Sequence, residues 1–378
     1  MTKPGATRRA YVHRIATRGP DDVDGLEAMI AAGRIDPNAI VAIFGKTEGN
    51  GCVNDFTRGF ATRALKDALR RHAPAEAADA VCIVMSGGTE GALSPHILVL
   101  EARATDEPAQ NGALAVGRAR TPRLANEALG RLAQVDIVAE GVVAAMREAG
   151  IVDVADVHFV QIKCPLLTAD RVAEVDARGL SVATRDTLKS MGLSRAASAL
   201  GVGVALGEID RASLSEAAIG RDWSLYSERA SASAGVELTD HEIVVIGAAP
   251  GWSGPLRVAH CVMRDAIDIE PVRSTLDDLG LGAPGQIAAP DRARMVAMLA
   301  KAEAGSSGLL RGHRHTMLDD SDISPTRHAR AFVAGALAGL VGHAEIYVSG
   351  GAEHQGPDGG GPVAVIASRA YFNEGAQT

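Results

Sequence analysis

Hydrophobic positions along the chain follow two alternating rhythms. Short runs rich in β-branched residues read as strands, among them YVHRIAT from Tyr11, LAVGRAR from Leu114 and LRVAHCV from Leu256. Between them lie stretches with apolar residues three or four apart, which predict helices: VDGLEAMIAAG from Val23, VVAAMREAG from Val142 and VRSTLDDLG from Val272. Each of these closes on a glycine placed to end a helix, at Gly33, Gly150 and Gly280. A second set of apolar runs ends in lysine: IVAIFGK at Lys46, VHFVQIK at Lys163 and MVAMLAK at Lys301. The first two are strands by composition, whereas the Ala/Met-rich third suits a strand or a helix.

The rhythm recurs along the chain. The frame Ser-(Gly/Ala)-Gly-x-Glu appears as SGGTE from Ser86, SAGVE from Ser233 and SGGAE from Ser349. Each copy precedes a β-rich run, HILVLEARA, HEIVVIGAA or PVAVIASRA. Between lysine and serine an arginine opens an Ala-rich amphipathic stretch, at Arg58, Arg195 and Arg330. Arg330 is preferred to Arg327 because Phe and Leu follow it at the offsets seen after Arg58. The unit is therefore strand, helix, strand-Lys, Arg-helix, Ser-turn, strand. The expected units span residues 1–105, 112–250 and 256–378, with Pro/Gly-rich linkers at Thr105–Gly112 and Ala249–Pro255. The middle unit is lengthened mainly between Lys163 and Arg195.

A length of 378 residues fits two or three domains better than one simple core. Apolar residues make up 47% but aromatics only 3%, so Ala, Val, Leu and Ile must fill the interior. A net charge of −8, without a basic cluster interleaved with aromatics, argues against nucleic acid as a partner. The four cysteines are scattered with no CxxC pair, which suits neither a disulfide framework nor a zinc site. No apolar leader follows the basic N-terminus, and the run from Ala331 to Val341 is too short to span a bilayer. A soluble, cytoplasmic protein is expected.

Three arginines, three lysines and three serines folded about a pseudo-threefold axis would ring one cavity. Such a cavity suits a small flat ligand with alternating carbonyl and N–H groups. A serine beside a neutral lysine supplies a nucleophile and its base without histidine. Lys46 and Lys301 each have a glutamate two residues on, Glu48 and Glu303, which on an extended chain would share their face and favour the ammonium. Lys163 is followed by Cys164 and Pro165 instead. That makes Lys163 the candidate general base and Ser233 its nucleophile. A non-catalytic protein that merely binds a cyclic imide is the rival of another class, but both Lys163 and Ser233 are present.

GKTEGNGCVNDFTRGFA from Gly45, VMSGGTEGALSPH from Val84, SASAGVE from Ser231 and VSGGAEHQGPDGGGP from Val348 closely resemble the cyanuric acid hydrolase/barbiturase family, in order and over nearly the whole chain. The resemblance implies an α/β fold of three repeats forming a central β-barrel-like core with helices outside, and one active site on the axis. It implies catalysis by Lys163 and Ser233, with Lys46 and Lys301 as secondary lysines. Arg58, Arg195, Arg330 and the pairs Ser86–Gly87, Ser233–Ala234 and Ser349–Gly350 would contact substrate. No organic cofactor is implied. A structural Mg2+ or Ca2+ is, held at Glu303, Ala352, Gln355, Gly356, Pro357 and Gly360, as is a homo-oligomer, a tetramer. Glu90 and Cys52 favour cyanuric acid as substrate, with barbituric acid the alternative.

Overall fold

A computed structural model describes residues 7–318 and 321–369; the outer ends of the first and third expected units lie outside them. The chain is a mixed α/β fold built on three principal sheets. The first holds β1 (Thr7–Ala16), β2 (Ile40–Thr47), β3 (Cys82–Gly87) and β4 (His96–Thr105) in the order β3-β2-β4-β1. The second takes β5 (Leu114–Arg120), β6 (Val157–Pro165), β7 (Ala230–Gly235) and β8 (Glu242–Ala248) in the order β7-β6-β8-β5. After the short β9 (Trp252–Ser253), the third takes β10 (Leu256–Met263) and β11 (Met295–Ala302). A small hairpin of β12 (Leu309–Leu310) and β13 (His313–Arg314) follows, and β14 (Tyr347–Gly350) and β15 (Gly361–Ser368) complete the order β14-β11-β15-β10. In each sheet the strand ending in lysine runs parallel to the serine strand and antiparallel to the strand that follows it. The Met295–Ala302 segment is a strand, which resolves the ambiguity of its composition.

Period-two alternation explains how the sheets are buried. Ala42 and Phe44 on β2, Val84 on β3, Leu299 on β11 and Tyr347 on β14 turn inward to one core shared by all three sheets. The intervening residues face the helices: Ile43 and Ile83 meet Leu65 and Leu69 of α2 (Phe56–His72), which follows α1 (Asp24–Ala31). Beyond α3 (Ala75–Ala80), α4 (Leu132–Ala149), α5 (Ala169–Ala177) and α6 (Thr187–Ala205) serve the second sheet. α7 (Glu270–Asp278), α8 (Ala289–Arg292) and α9 (Pro325–Val341) belong to the third. Met298 and Val348, for example, pack on Val333 and Leu337 of α9. The terminal glycines Gly33, Gly150 and Gly280 all take positive φ near 70°, as their place after a helix requires.

The expected barrel is not formed. The three principal sheets are not joined by a closing ladder and share one core of apolar side chains. Backbone pairings also cross between segments: Arg8 and Arg9 pair in parallel with Trp252 and Ser253, and Ser227 bridges Gln355. The expected linker at 249–255 is thus partly structural. Trp252 is fully buried, donates from Nε1 to the Ala149 carbonyl at 2.8 Å and carries the Arg8 guanidinium 4.3 Å above its ring. Among the described residues no helix is long and apolar enough to cross a membrane.

Candidate active site

Strand register brings each lysine beside its serine. Lys46 pairs with Ser86, Lys163 with Ser233 and Lys301 with Ser349 at equivalent points of the three parallel ladders. Each lysine lies two residues beyond an inward-facing position, Phe44, Gln161 or Leu299, and so points to the same interior. All three are at most 1% exposed, although lysines at strand ends are mostly solvated. Each donates across the centre to the carbonyl preceding another unit's serine: Lys46 to Val348 at 2.8 Å, Lys163 to Met85 at 2.7 Å and Lys301 to Ala232 at 2.9 Å.

Over this layer opens a cavity of about 340 Å³. Arg58, Ser86, Gly87, Arg195, Ser233, Ala234, Arg330, Ser349 and Gly350 all line it, together with Asn50, Cys52 and Glu353. Arg330 is on the wall and Arg327 is not. Arg58 lies in the first turn of α2, but Arg195 and Arg330 do not open their helices and sit more than a turn inside α6 and α9. Helix starts are set instead by Asp55 and Asp186, whose side chains cap α2 and α6, and by Pro325. The first turns of α6 and α9 also reach the cavity through Leu188, Lys189, Pro325 and Thr326, which sequence periodicity gave no reason to single out. α6 is seated by a buried network in which Gln134 donates to Ser194 Oγ at 2.9 Å and meets His241 Nε2 at 2.9 Å.

The three pairs are not electrostatically alike. Lys46 donates to Ser86 Oγ at 3.1 Å and Lys301 to Ser349 Oγ at 3.2 Å. Ser233 Oγ instead shares a hydrogen bond with Ser349 Oγ at 3.1 Å, and Lys163 makes an ion pair with Glu237 at 2.8 Å. Burial lowers all three amines: Lys46 well below the usual lysine range, Lys301 to about 7, and Lys163 against the opposing pull of Glu237. The reading of the glutamates two residues on holds for Glu303, which raises the Lys301 amine, and fails for the other two lysines. Glu48 is exposed and plays no part around Lys46, and Lys163, expected to lack a carboxylate, is the lysine in contact with one. The carboxylates that matter close the serine frames. Glu90 holds Arg330 in a two-pronged pair at 2.7 and 2.6 Å, and Glu353 holds Arg195 at 2.8 and 2.6 Å. The repeated Glu of the serine frame was the signal for this.

Glu303 and the loop carrying Ala352, Gln355, Gly356, Pro357 and Gly360 lie side by side, since Ala302 pairs with Gly350 and Gly359 packs against Gly305. Glu303 accepts from Thr326 Oγ1 at 3.0 Å, and burial with the nearby Glu353 raises its pKa. A partly buried carboxylate without a cationic partner in contact, beside backbone carbonyls that keep a spare lone pair, is a donor set that fits a hard cation. Among the described residues no three His, Cys, Asp or Glu side chains cluster as ligands, so such a cation would rest on carbonyl oxygens. His313 is exposed in the β12–β13 hairpin, and His96 is fully buried with Nδ1 on the Ser94 carbonyl.

The family described as "Amidohydrolase ring-opening protein" matches residues 11–368. The chain is 62% identical over 370 residues to a cyanuric acid amidohydrolase of Bradyrhizobium sp. (strain ORS 375), covering 97% of this chain and 100% of that protein. It is 64% identical over 360 residues to a cyanuric acid amidohydrolase of Azorhizobium caulinodans, covering 95% and 98% of the two chains. A crystal structure of the cyanuric acid hydrolase from A. caulinodans superposes with a TM-score of 0.88 at 62% identity, over 96% of this chain and all of that one. A second cyanuric acid hydrolase structure superposes at 0.90 with 48% identity, over 96% and 100%. Matched from Tyr11 to Ser368 and at this identity, the chain belongs to the ring-opening amidohydrolases, hydrolases that act on cyclic amides.

Proposed function

We propose that the protein opens the ring of cyanuric acid by hydrolysis, with Ser233 as nucleophile and Lys163 as base. The observation that carries this reading is the convergence of three buried Lys–Ser pairs and three arginines on one small cavity. A planar ring with three equivalent carbonyls would suit a cavity walled by three units of the same strand order. The names of the relatives favour cyanuric acid over barbituric acid.

Ser233 Oγ attacks a ring carbonyl carbon and Lys163 takes its proton. The arginines and the N–H groups of the Ser-Gly and Ser-Ala turns stabilise the oxyanion. The C–N bond then breaks, the leaving nitrogen takes the proton from Lys163, and a carbamoylated Ser233 remains. Water, deprotonated by Lys163, attacks the carbamoyl carbon, the bond to Ser233 Oγ breaks, the serine takes the proton back from Lys163, and carboxybiuret leaves and loses CO2 to give biuret. In the free protein Ser233 rests on Ser349, so binding must hand its hydroxyl to Lys163. A cation held by Glu303 and the 352–360 loop would supply positive charge that fixes this loop; the reaction steps use the chain's own groups.

The test is turnover of cyanuric and barbituric acids by three serine variants. Ser233→Ala should lose turnover by several orders of magnitude with the fold intact. Ser86→Ala and Ser349→Ala should retain measurable turnover with weakened capture. Near-native turnover by Ser233→Ala, with loss in Ser86→Ala, would move the chemistry to the first pair. Preferential hydrolysis of barbituric acid would overturn the substrate assignment.

A further inference from the structure

The glutamates that end the three serine frames follow a cyclic rule that is broken once. Arg330 of the third unit takes Glu90 of the first, and Arg195 of the second takes Glu353 of the third. By the same rotation Arg58 of the first unit should take Glu237 of the second. It does not. Arg58 donates to the carbonyls of Ala234 at 2.7 Å and Cys52 at 2.6 Å, and its nearest carboxylate is Asp55 at 3.7 Å. Glu237 turns instead to Lys163 at 2.8 Å, an ion pair between side chains 14% and 1% exposed. A Cβ on Gly235 would lie 2.0 Å from Glu237 Oε2, so the glycine of this frame leaves the room the carboxylate occupies. Among the described residues neither other lysine has a carboxylate in contact: Lys46 and Lys301 reach hydroxyls and carbonyls.

From this exchange of partners we propose that Glu237 is the positioning residue that singles out the middle Lys–Ser pair, holding the Lys163 amine in place and carrying the counter-charge for the ammonium formed when Ser233 gives up its proton. The inference rests on the assignment of Lys163 as base. Its logic is that of a carboxylate behind a catalytic histidine. A buried amine with no counter-charge is neutral but a poor proton acceptor, because its ammonium has nothing to stabilise it. Lys46, on which Glu90 and Asp55 act without contact, approaches that condition. A carboxylate in contact brings the amine back toward the working range and makes proton uptake affordable in a dry site. The other ionisable groups facing the pair are Arg58, beside both, Cys164, next to Lys163, and Arg171, whose guanidinium donates to the Val236 and Leu238 carbonyls on either side of Glu237. Arg58 lowers the Lys163 amine, whereas Glu237 is the main group that opposes burial and Cys164 the lesser one.

The experiment compares wild type with Glu237→Gln, Glu237→Asp and Glu90→Gln. Two curves are read as a function of pH: kcat/KM for cyanuric acid, and the 13Cε resonance of Lys163, assigned by its absence in Lys163→Arg. Loss of the carboxylate removes the interaction that raises the amine. In Glu237→Gln the Lys163 midpoint and the rising limb of kcat/KM should therefore move together to lower pH, by about one unit or more. The plateau should fall by about 100-fold. Glu237→Asp, with charge kept but reach shortened, should lie between, and it serves alone if the glutamine variant does not fold. Glu90→Gln should raise KM through Arg330 and leave the limb in place. An unmoved Lys163 resonance in Glu237→Gln or Glu237→Asp overturns the proposal. So does a moved resonance with an unmoved limb, or a limb moved equally by Glu90→Gln. Turnover by Ser233→Ala would sink the dyad assignment itself, a separate result from any of these.

Discussion

Replacing Arg330 by alanine removes a guanidinium that does two things at once. Its side chain is 3% exposed, spans from the third unit to Glu90 of the first through two charged hydrogen bonds, and forms part of the cavity wall. Breaking a buried ion pair by deleting one partner costs about 3–5 kcal/mol, because the survivor is left uncompensated. Glu90 is 26% exposed, so water partly replaces the arginine and the lower end, about 3 kcal/mol, is expected. A charged hydrogen bond to a ring carbonyl adds about 1.5–3 kcal/mol to substrate capture, so kcat/KM should fall about 10- to 100-fold. Urea denaturation reads the first number and steady-state kinetics the second. Glu90→Ala separates them: it should lose comparable stability while leaving the guanidinium free to meet substrate, and so lose less kcat/KM. Arg327→Ala, off the cavity wall, should lose little activity. Equal activity losses in Arg327→Ala and Arg330→Ala would refute both the alignment of the third unit and the role given to its arginine.

Two further outcomes follow from the buried charges. The Lys46 amine is held well below its usual 10.5 by burial first and then by Arg330 and Lys301, so at alkaline pH the unfolded chain binds a proton that the native chain does not. Stability should consequently rise with pH up to the ordinary lysine range, by at most about 1.4 kcal/mol per unit for this group, and fall as the solution is acidified. Urea midpoints of Lys46→Met should show a correspondingly flatter slope, and an unchanged slope would contradict the assignment. At the 352–360 loop, Ca2+ or Mg2+ should raise the melting temperature of wild type but not of Glu303→Gln. Equal shifts in both proteins would remove Glu303 from the cation site.

Much of the site was legible in the sequence because it is written in strand register. A lysine ending one run and a serine ending a parallel neighbour must meet if both strands lie in one sheet, and Lys46–Ser86, Lys163–Ser233 and Lys301–Ser349 do. Two kinds of information were not there. Distance along the chain says little about contacts between strands, so Pro165 two residues on suggested that Lys163 has no carboxylate, whereas Glu237 lies against it. Alternation also fixes which face a side chain uses but not whether sheets close by hydrogen bonds or by packing. The inward faces suit either a barrel or three abutting sheets, and only the fold shows the latter. Arg195 and Arg330, expected at helix starts, lie deeper for a related reason: the starts set by Asp186 and Pro325 lie outside the compared segments.

The symmetry of the cavity and the asymmetry of its charges are compatible if binding and chemistry make different demands. On the proposed reading the substrate presents the same carbonyl after each third of a turn, so one reactive serine meets a carbonyl in every orientation. Nothing is gained by arming all three pairs. Three ammonium groups in one dry centre would instead repel one another and the arginines around them, and burial with neighbouring cations does hold Lys46 and Lys301 below the usual lysine range. Those two are suited to donating hydrogen bonds to their serines and to the facing carbonyls, which is a binding role. Among the described residues, Lys163 is the one of the three with a carboxylate in contact to balance a proton. A site of this kind keeps the threefold set of donors for recognition and departs from it at one glutamate for reaction. Changes at Glu90 and Glu353 should then appear mainly in KM, and changes at Glu237 in kcat and its pH dependence.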